Sequence, residues 1–259
     1  MKRLALSLSA LFSISLAQQI PIIITSIPKG GTHLLMKAVT LITGKQPGYL
    51  APITGQQYTV FDEKSAQKVL ASGKAMIFSH LHYNDEAAET LTKHNFPVLF
   101  IYRDPRDLLL AAARLVTKRG MPVPEALGLA KPWASRHDEY VLQLINNITD
   151  IYANFTPWLE HPNVYAVRFE DLVGPKGGGS AEKQLRVLRD IANHINMPLT
   201  ETEATKIAEK LFGQSATFRK GQIGAWKVEF TTEHKQLFKQ KGQALLEQLG
   251  YELDDQWAK

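Results

Sequence analysis

A junction near the start of this chain limits its fold more than any other feature. Ile20–Ser26 (IPIIITS) is an unbroken apolar run rich in β-branched residues. A Pro-Lys-Gly-Gly turn occupies positions 28–31, and from Thr32 to Ile42 apolar residues recur at helical spacing (Leu34, Leu35, Ala38, Leu41, Ile42). A short continuous apolar run bounded by turn residues reads as a strand buried on both faces, as in a parallel sheet. Strand, glycine loop and helix in that order open a nucleotide-binding α/β fold. Glycines let the backbone wrap closely around an anion, and the amides that start the helix point toward it. Lys29 adds a point charge and Thr32 a hydroxyl. The competing reading is a turn that only joins strand to helix, but a lysine beside two glycines is unusual for mere turning. The lysine precedes the glycines, so the run lacks the Gly-x-x-x-x-Gly-Lys-Ser/Thr order of nucleoside triphosphatases. That order argues against ordinary ATP or GTP hydrolysis.

The alternation continues along the chain. Ala75–Ser79, Pro97–Tyr102 and Val164–Phe169 read as further buried strands. Helices are expected over Glu86–Lys93 and Asp107–Lys118, as a pair across Trp133–Leu159, and over Ala181–Ile195, Glu201–Phe212 and Thr231–Leu249, the last capped by Thr231. Gly174–Gly179 is a loop by composition, and 213–230 reads as a long loop carrying glycines. The expected fold class is α/β, with a central parallel sheet flanked by helices on both faces and a P-loop-like nucleotide-binding start. At 259 residues the chain fits one such domain, placed at 18–259.

Residues 1–17 have the pattern of a secretory signal peptide: Lys2-Arg3, an apolar run from Leu4 to Leu16, then Ser15 and Ala17 before Gln18. The alternative is an amphipathic helix leading into the domain. The first reading implies export, and an uncleaved start implies a cytoplasmic protein. The run is too short to span a bilayer comfortably, and no other stretch is apolar enough. The chain has no cysteine, which excludes disulfides, thiolate metal sites and cysteine nucleophiles. Net charge is +5 with scattered basic residues, which suits an anionic ligand and not a nucleic acid.

Four further segments carry chemistry. Ile101-Tyr102-Arg103-Asp104-Pro105-Arg106-Asp107 ends a strand and opens a helix, where the arginines either bind an anion or form helix-start ion pairs with the aspartates. Phe218-Arg219-Lys220-Gly221-Gln222-Ile223-Gly224-Ala225-Trp226-Lys227 sets two adjacent cations beside an exposed glycine amide, a combination suited to a dianionic phosphate. Arg168-Phe169-Glu170-Asp171-Leu172 and Ser79-His80-Leu81 each end a strand. In order, these runs resemble the sulfotransferases that use 3′-phosphoadenosine 5′-phosphosulfate (PAPS), from about residue 22 to 231.

The resemblance implies a role for each match. Lys29, Gly30, Gly31, Thr32 and His33 correspond to the family's Pro-Lys-Ser-Gly-Thr-Thr-Trp loop around the 5′-phosphosulfate. Arg103, Arg219, Lys220 and Gly221 correspond to residues around the 3′-phosphate, Phe169 lies near the adenine, and His80 is the candidate catalytic base beside the catalytic Lys29. Departures stand at Gly30, His33, Leu34, Phe78, Ala111 and Ala225. His33 is a candidate donor to the sulfonate. His82 either faces the site or pairs with His80 at a metal, with no third ligand evident and no metal required.

The implied reaction moves a sulfuryl group from PAPS to a hydroxyl or amine on a small-molecule, glycan or peptide acceptor. The acceptor pocket is expected in the loops Gly44–Tyr58 and Gly120–Trp133. The alternatives are a non-catalytic member that binds the nucleotide or a partner, and a P-loop-like kinase, for which the lysine order and a Mg²⁺-binding pair are lacking. Neither acceptor nor oligomeric state is legible.

Overall fold

The computed structural model of the chain describes residues 20–49, 61–119, 137–213, 221–254 and 256–258. The signal-peptide-like segment, most of the two expected acceptor loops, and Arg219 and Lys220 lie outside these residues.

Five strands, β1 (Ile22–Ser26), β2 (Gly48–Tyr49), β3 (Met76–Ser79), β4 (Val98–Tyr102) and β5 (Val164–Arg168), form one sheet in the order β2-β3-β1-β4-β5. Every pairing is parallel. β1 is central: Ile22 stands opposite Met76 of β3, and Ile23 opposite Val98 of β4. The helices that connect and cover the strands are α1 (Thr32–Thr43), α2 (Glu63–Ala71), α3 (Asp85–Lys93), α4 (Pro105–Arg119), α5 (His137–Asn146), α6 (Ile148–Ala153), α7 (Phe169–Leu172), α8 (Ala181–His194), α9 (Glu201–Leu211), α10 (Trp226–Glu229) and α11 (Thr232–Gln248).

The unbroken apolar strands are explained by two separate cores. Side chains alternate across a strand. Ile22 and Ile24 of β1 join Met76, Leu99 and Ile101 against α1, α7, α8 and α9. Ile23 joins Ile77, Val98 and Phe100 against the opposite helices, including Tyr140, Tyr152 and Phe238. A strand buried on both faces has no polar side to show, so the sequence shows no period of two.

The expected strands stand within a residue or two of their observed ends. Val164–Phe169 is corrected by one residue, since Phe169 opens α7. The expected pair over Trp133–Leu159 is α5 and α6, broken at Asn147 and followed by a 3₁₀ turn at Thr156–Leu159. Part of the supposed loop 213–230 is helical, because Asp107 of α4 accepts from the amides of Gly224 (2.8 Å) and Trp226 (3.1 Å) and caps α10 from a distant element. Pro175–Gly177 likewise forms a 3₁₀ turn inside Gly174–Gly179. The sequence reading passed over α2, capped by Asp62 onto Ser65, and the two-residue β2. Thr231 caps α11 as expected, in a reciprocal box with His234.

The turn after β1 is set by its glycines. Gly31 has φ 118°, and a Cβ there would lie 2.8 Å from Phe169 Cδ2 and 2.9 Å from Ile101 Cδ1. The Gly31→Ala variant is therefore expected to lose about 2–4 kcal/mol of stability, from left-handed strain and overpacking together. Urea denaturation reads this loss, and a change under 1 kcal/mol would contradict the tightness of the turn.

Candidate functional site

The connections change direction between β1 and β3: β1 leads through α1 to β2 on one side, whereas β3 leads through α3 across β1 to β4 on the other. In open α/β sheets such a switch point leaves a crevice beyond the carboxyl ends of the strands. The turn after β1 brings Lys29, Gly30, Gly31, Thr32 and His33 to this edge. The end of β3 brings His80, the end of β4 Arg103, and the end of β5 Phe169.

Lys29 is held at φ 70°, a left-handed conformation rare for a residue with a side chain. Gly30 is buried, and a Cβ on it would sit 2.8 Å from the Ile27 carbonyl oxygen and 3.2 Å from that of Ile101. The Gly30 N–H donates back to the Ile27 carbonyl at 2.8 Å, so the turn closes tightly on the end of β1. Thr32 is buried at the first position of α1, while His33 is exposed. His33 is pulled below the usual imidazole range by partial desolvation and then by Lys29.

The ring of His80 is held by residue 26. Its Nδ1 lies 2.8 Å from the Ser26 carbonyl oxygen. A carbonyl only accepts, so Nδ1 bears the hydrogen and Nε2 is the basic nitrogen. Burial lowers the His80 pKa, the Ser26 bond partly opposes this, and His33 and Lys29 lower it further. A neutral imidazole with a free Nε2 is a proton acceptor at neutral pH.

Both arginines form helix-start ion pairs, Arg106 with Asp104 and Arg103 with Asp107, but they differ in how fully they are engaged. Arg106 is buried structure: Nε and NH2 bind both oxygens of Asp104 at 3.0 and 2.7 Å, NH2 also meets Glu252 at 2.8 Å, and the guanidinium lies 3.8 Å from the Trp226 ring centroid. Arg103 only grazes Asp107, at 3.5 Å. It lies over Phe169 at 4.3 Å and donates to the Gln222 carbonyl at 2.8 Å. Its buried Nε has no hydrogen-bond partner among the described residues. The segment that carries Arg219 and Lys220 enters the described structure at Gly221, beside Arg103. It is fastened there by Ile223 N on the Gly177 carbonyl (3.0 Å) and Gln222 Nε2 on the Lys176 carbonyl (2.9 Å).

Among the described residues His82 and His80 belong to no group of three or more His, Asp or Glu side chains that could hold a metal. His82 packs edge-on against Phe155, with ring centroids 4.8 Å apart, and is pulled down to about 4, first by burial and then by His80. Between about 4 and the ordinary 6.5 the unfolded chain holds more protons than the folded one. The stability that neutral His82 contributes is therefore present above that window and lost as pH falls through it. The urea midpoint is expected to drop across this range. In His82→Phe, which keeps a ring, the slope becomes shallower, with His33, His80, His161 and His194, all lowered by burial first, still contributing to it. An unchanged slope would show that His82 is not the buried titrating group.

Ser26, Asp107 and Gln222 were not singled out from the sequence. Their roles come from contacts between residues 54 to 119 positions apart. No local pattern signals such contacts.

The fold is a parallel α/β sheet with a glycine loop, a lysine, a histidine and an arginine at the carboxyl ends of neighbouring strands. The model for the sulfotransferase domain matches residues 19–250, and the chain belongs to that family. It is 24% identical to sulfotransferase 6B1 of Danio rerio over 239 residues, covering 83% of this chain and 74% of that protein. It is 23% identical to sulfotransferase 6B1 of Mus musculus over 243 residues, covering 83% and 72%. Its fold is like that of mouse sulfotransferase SULT7A1 complexed with PAP, with a TM-score of 0.61, 19% identity and coverage of 87% of this chain and 85% of that one.

Proposed function

We propose that the chain transfers a sulfuryl group from PAPS to an acceptor hydroxyl or amine. The observation that carries this reading is that the turn holding Lys29 at φ 70° and Gly31 at φ 118° stands at the same sheet edge as His80 and Arg103, which follow the two strands paired with β1. PAPS supplies an activated sulfuryl group on a phosphate leaving group. Transfer of this kind demands alignment and charge neutralisation more than covalent help.

The residues divide that work. The Gly31 and Thr32 amides and the Thr32 hydroxyl would bind the 5′-phosphosulfate. Lys29 would stabilise charge that builds on the leaving oxygen. His80 would take the acceptor's proton on Nε2 as its oxygen or nitrogen attacks sulfur. Arg103 would meet the 3′-phosphate with its guanidinium, joined by Gly221 and by Arg219 and Lys220, which precede it in the chain. Phe169, already stacked under Arg103, would lie near the adenine. His33, at the loop mouth, would donate to the sulfonate, and His33→Thr is expected to slow turnover.

One departure from the family pattern is compensated. Ala225 replaces an aspartate, but the flanking amides of Gly224 and Trp226 are received by Asp107, so the loop keeps its anchor. The test is radiolabelled PAPS against a broad panel of phenol, alcohol, amine, glycan and peptide acceptors. Label in an acceptor, dependent on Lys29 and His80, is the expected result. Tight nucleotide binding without transfer to any acceptor would favour the non-catalytic reading, and turnover of ATP with Mg²⁺ would favour a kinase.

A further inference from the structure

Ser26 is fully buried at the end of β1 and touches both the base and the nucleotide loop. Its hydroxyl lies 3.2 Å from His80 Nδ1 and 2.5 Å from Thr32 Oγ1. Its carbonyl, 2.8 Å from the same nitrogen, already requires that Nδ1 carry the hydrogen. A protonated Nδ1 has no lone pair to give, so the Ser26 hydroxyl can only accept from it. Either hydroxyl of the Ser26–Thr32 pair can donate, and the direction that continues the chain sends the Ser26 hydrogen to Thr32 Oγ1. Thr32 accepts there, and its hydrogen remains for a ligand in the loop.

We propose that Ser26 is a positioning residue that couples the base to the nucleotide through a directed chain, His80 Nδ1–H to Ser26 Oγ–H to Thr32 Oγ1–H to the bound 5′-anion. This rests on the reading of the site given above. An anion on Thr32 polarises the chain and makes His80 more basic, and a proton arriving on Nε2 strengthens the donation from Thr32. The two effects are one coupling, equal in both directions. No proton travels along the chain. In the transfer step the acceptor's proton goes to His80 Nε2, the new bond forms to sulfur, and the leaving phosphate takes the electron pair of the broken S–O bond.

Other charged and titratable groups face His80 among the described residues: Lys29 and His33 from the loop after β1, and His82 from the segment after β3. They act through space and remain when the Ser26 hydroxyl is removed. The decisive comparison is therefore between Ser26→Ala, which deletes the hydroxyl, and Ser26→Thr, which keeps it.

The experiment is ¹⁵N NMR of the histidine side chains in the full chain, with and without 3′-phosphoadenosine 5′-phosphate (PAP), assigned through His80→Gln. In ligand-free wild type, His80 is expected as the Nδ1–H tautomer. PAP is expected to raise the His80 pKa by about one unit in wild type and Ser26→Thr, as a nearby anion does. In Ser26→Ala less than about half of that rise should remain, and PAP should bind roughly tenfold more weakly, the loss expected for one charge-assisted hydrogen bond. An Nε2–H tautomer in ligand-free wild type overturns the chain, whether or not PAP binds. An equal PAP-induced rise in Ser26→Ala also overturns it, as does an equal loss in both variants. Failure of wild type to bind PAP overturns the proposed function instead, and the ligand-free tautomer then still decides the direction of the chain.

Discussion

His80→Gln is expected to lower kcat by about 10²–10⁴-fold, the usual contribution of a general base, while leaving PAP affinity within about threefold. Glutamine preserves one function of the histidine and removes the other. Its side-chain amide can still donate to the Ser26 carbonyl that now holds Nδ1–H at 2.8 Å. It offers no basic nitrogen in place of Nε2. The pH profile should separate the two. The His80 pKa is lowered by burial first, and a base works in its unprotonated form. Wild-type kcat/KM for PAPS, which reports the free enzyme, should therefore hold as pH falls through the ordinary imidazole range and decline only below the depressed value. The variant should show no such acid limb. Equal kcat in variant and wild type, with the same acid limb, would remove His80 from the chemistry.

Lys29→Gly is expected to move activity and stability apart. The lysine ammonium would be lost from the leaving oxygen, at a cost of about 10²–10³-fold in kcat, comparable to removing one preorganised donor. The backbone, by contrast, is relieved. Lys29 sits at φ 70°, where a residue with a Cβ is strained by about 1–2 kcal/mol and glycine is not. Glycine also loses more chain entropy on folding, which offsets part of the gain. Stability should stay level or rise by up to about 1 kcal/mol, read by urea denaturation beside the transfer assay. Strain held at a residue that the reaction needs is the signature of a functional loop. Lower stability together with unchanged turnover would show a turn residue and nothing more.

The sheet was legible because burial on both faces leaves continuous apolar strands, and Ile22–Ser26 and Val98–Tyr102 divide their side chains between two cores as such strands must. α10 was not legible, because its cap is Asp107, more than a hundred positions earlier. The two-residue β2 is too short to carry a pattern. At the site, the residues at strand ends carried recognisable runs: Lys29, His80, Arg103 and Phe169 are gathered on one edge by sheet order alone. The groups that orient them were hidden. Ser26 reads in sequence as the last residue of a strand, and only the register of β1 against β3 sets its hydroxyl and carbonyl against His80. Arg106 shows the converse. Beside Arg103 it looks like an equal candidate, yet its Nε and NH2 are taken by Asp104 and Glu252 and its face lies on Trp226.

Calorimetric titration of residues 18–259 with PAP and with AMP tests the central claim most directly, because the two ligands differ by the 3′-phosphate that Arg103 and the Arg219–Gly221 segment would bind. The expected result is PAP binding at least about 100-fold tighter than AMP, about 3 kcal/mol, with most of the preference lost in Arg103→Ala and Arg219→Ala. Equal affinity for the two ligands, or no binding of either, would contradict a PAPS site.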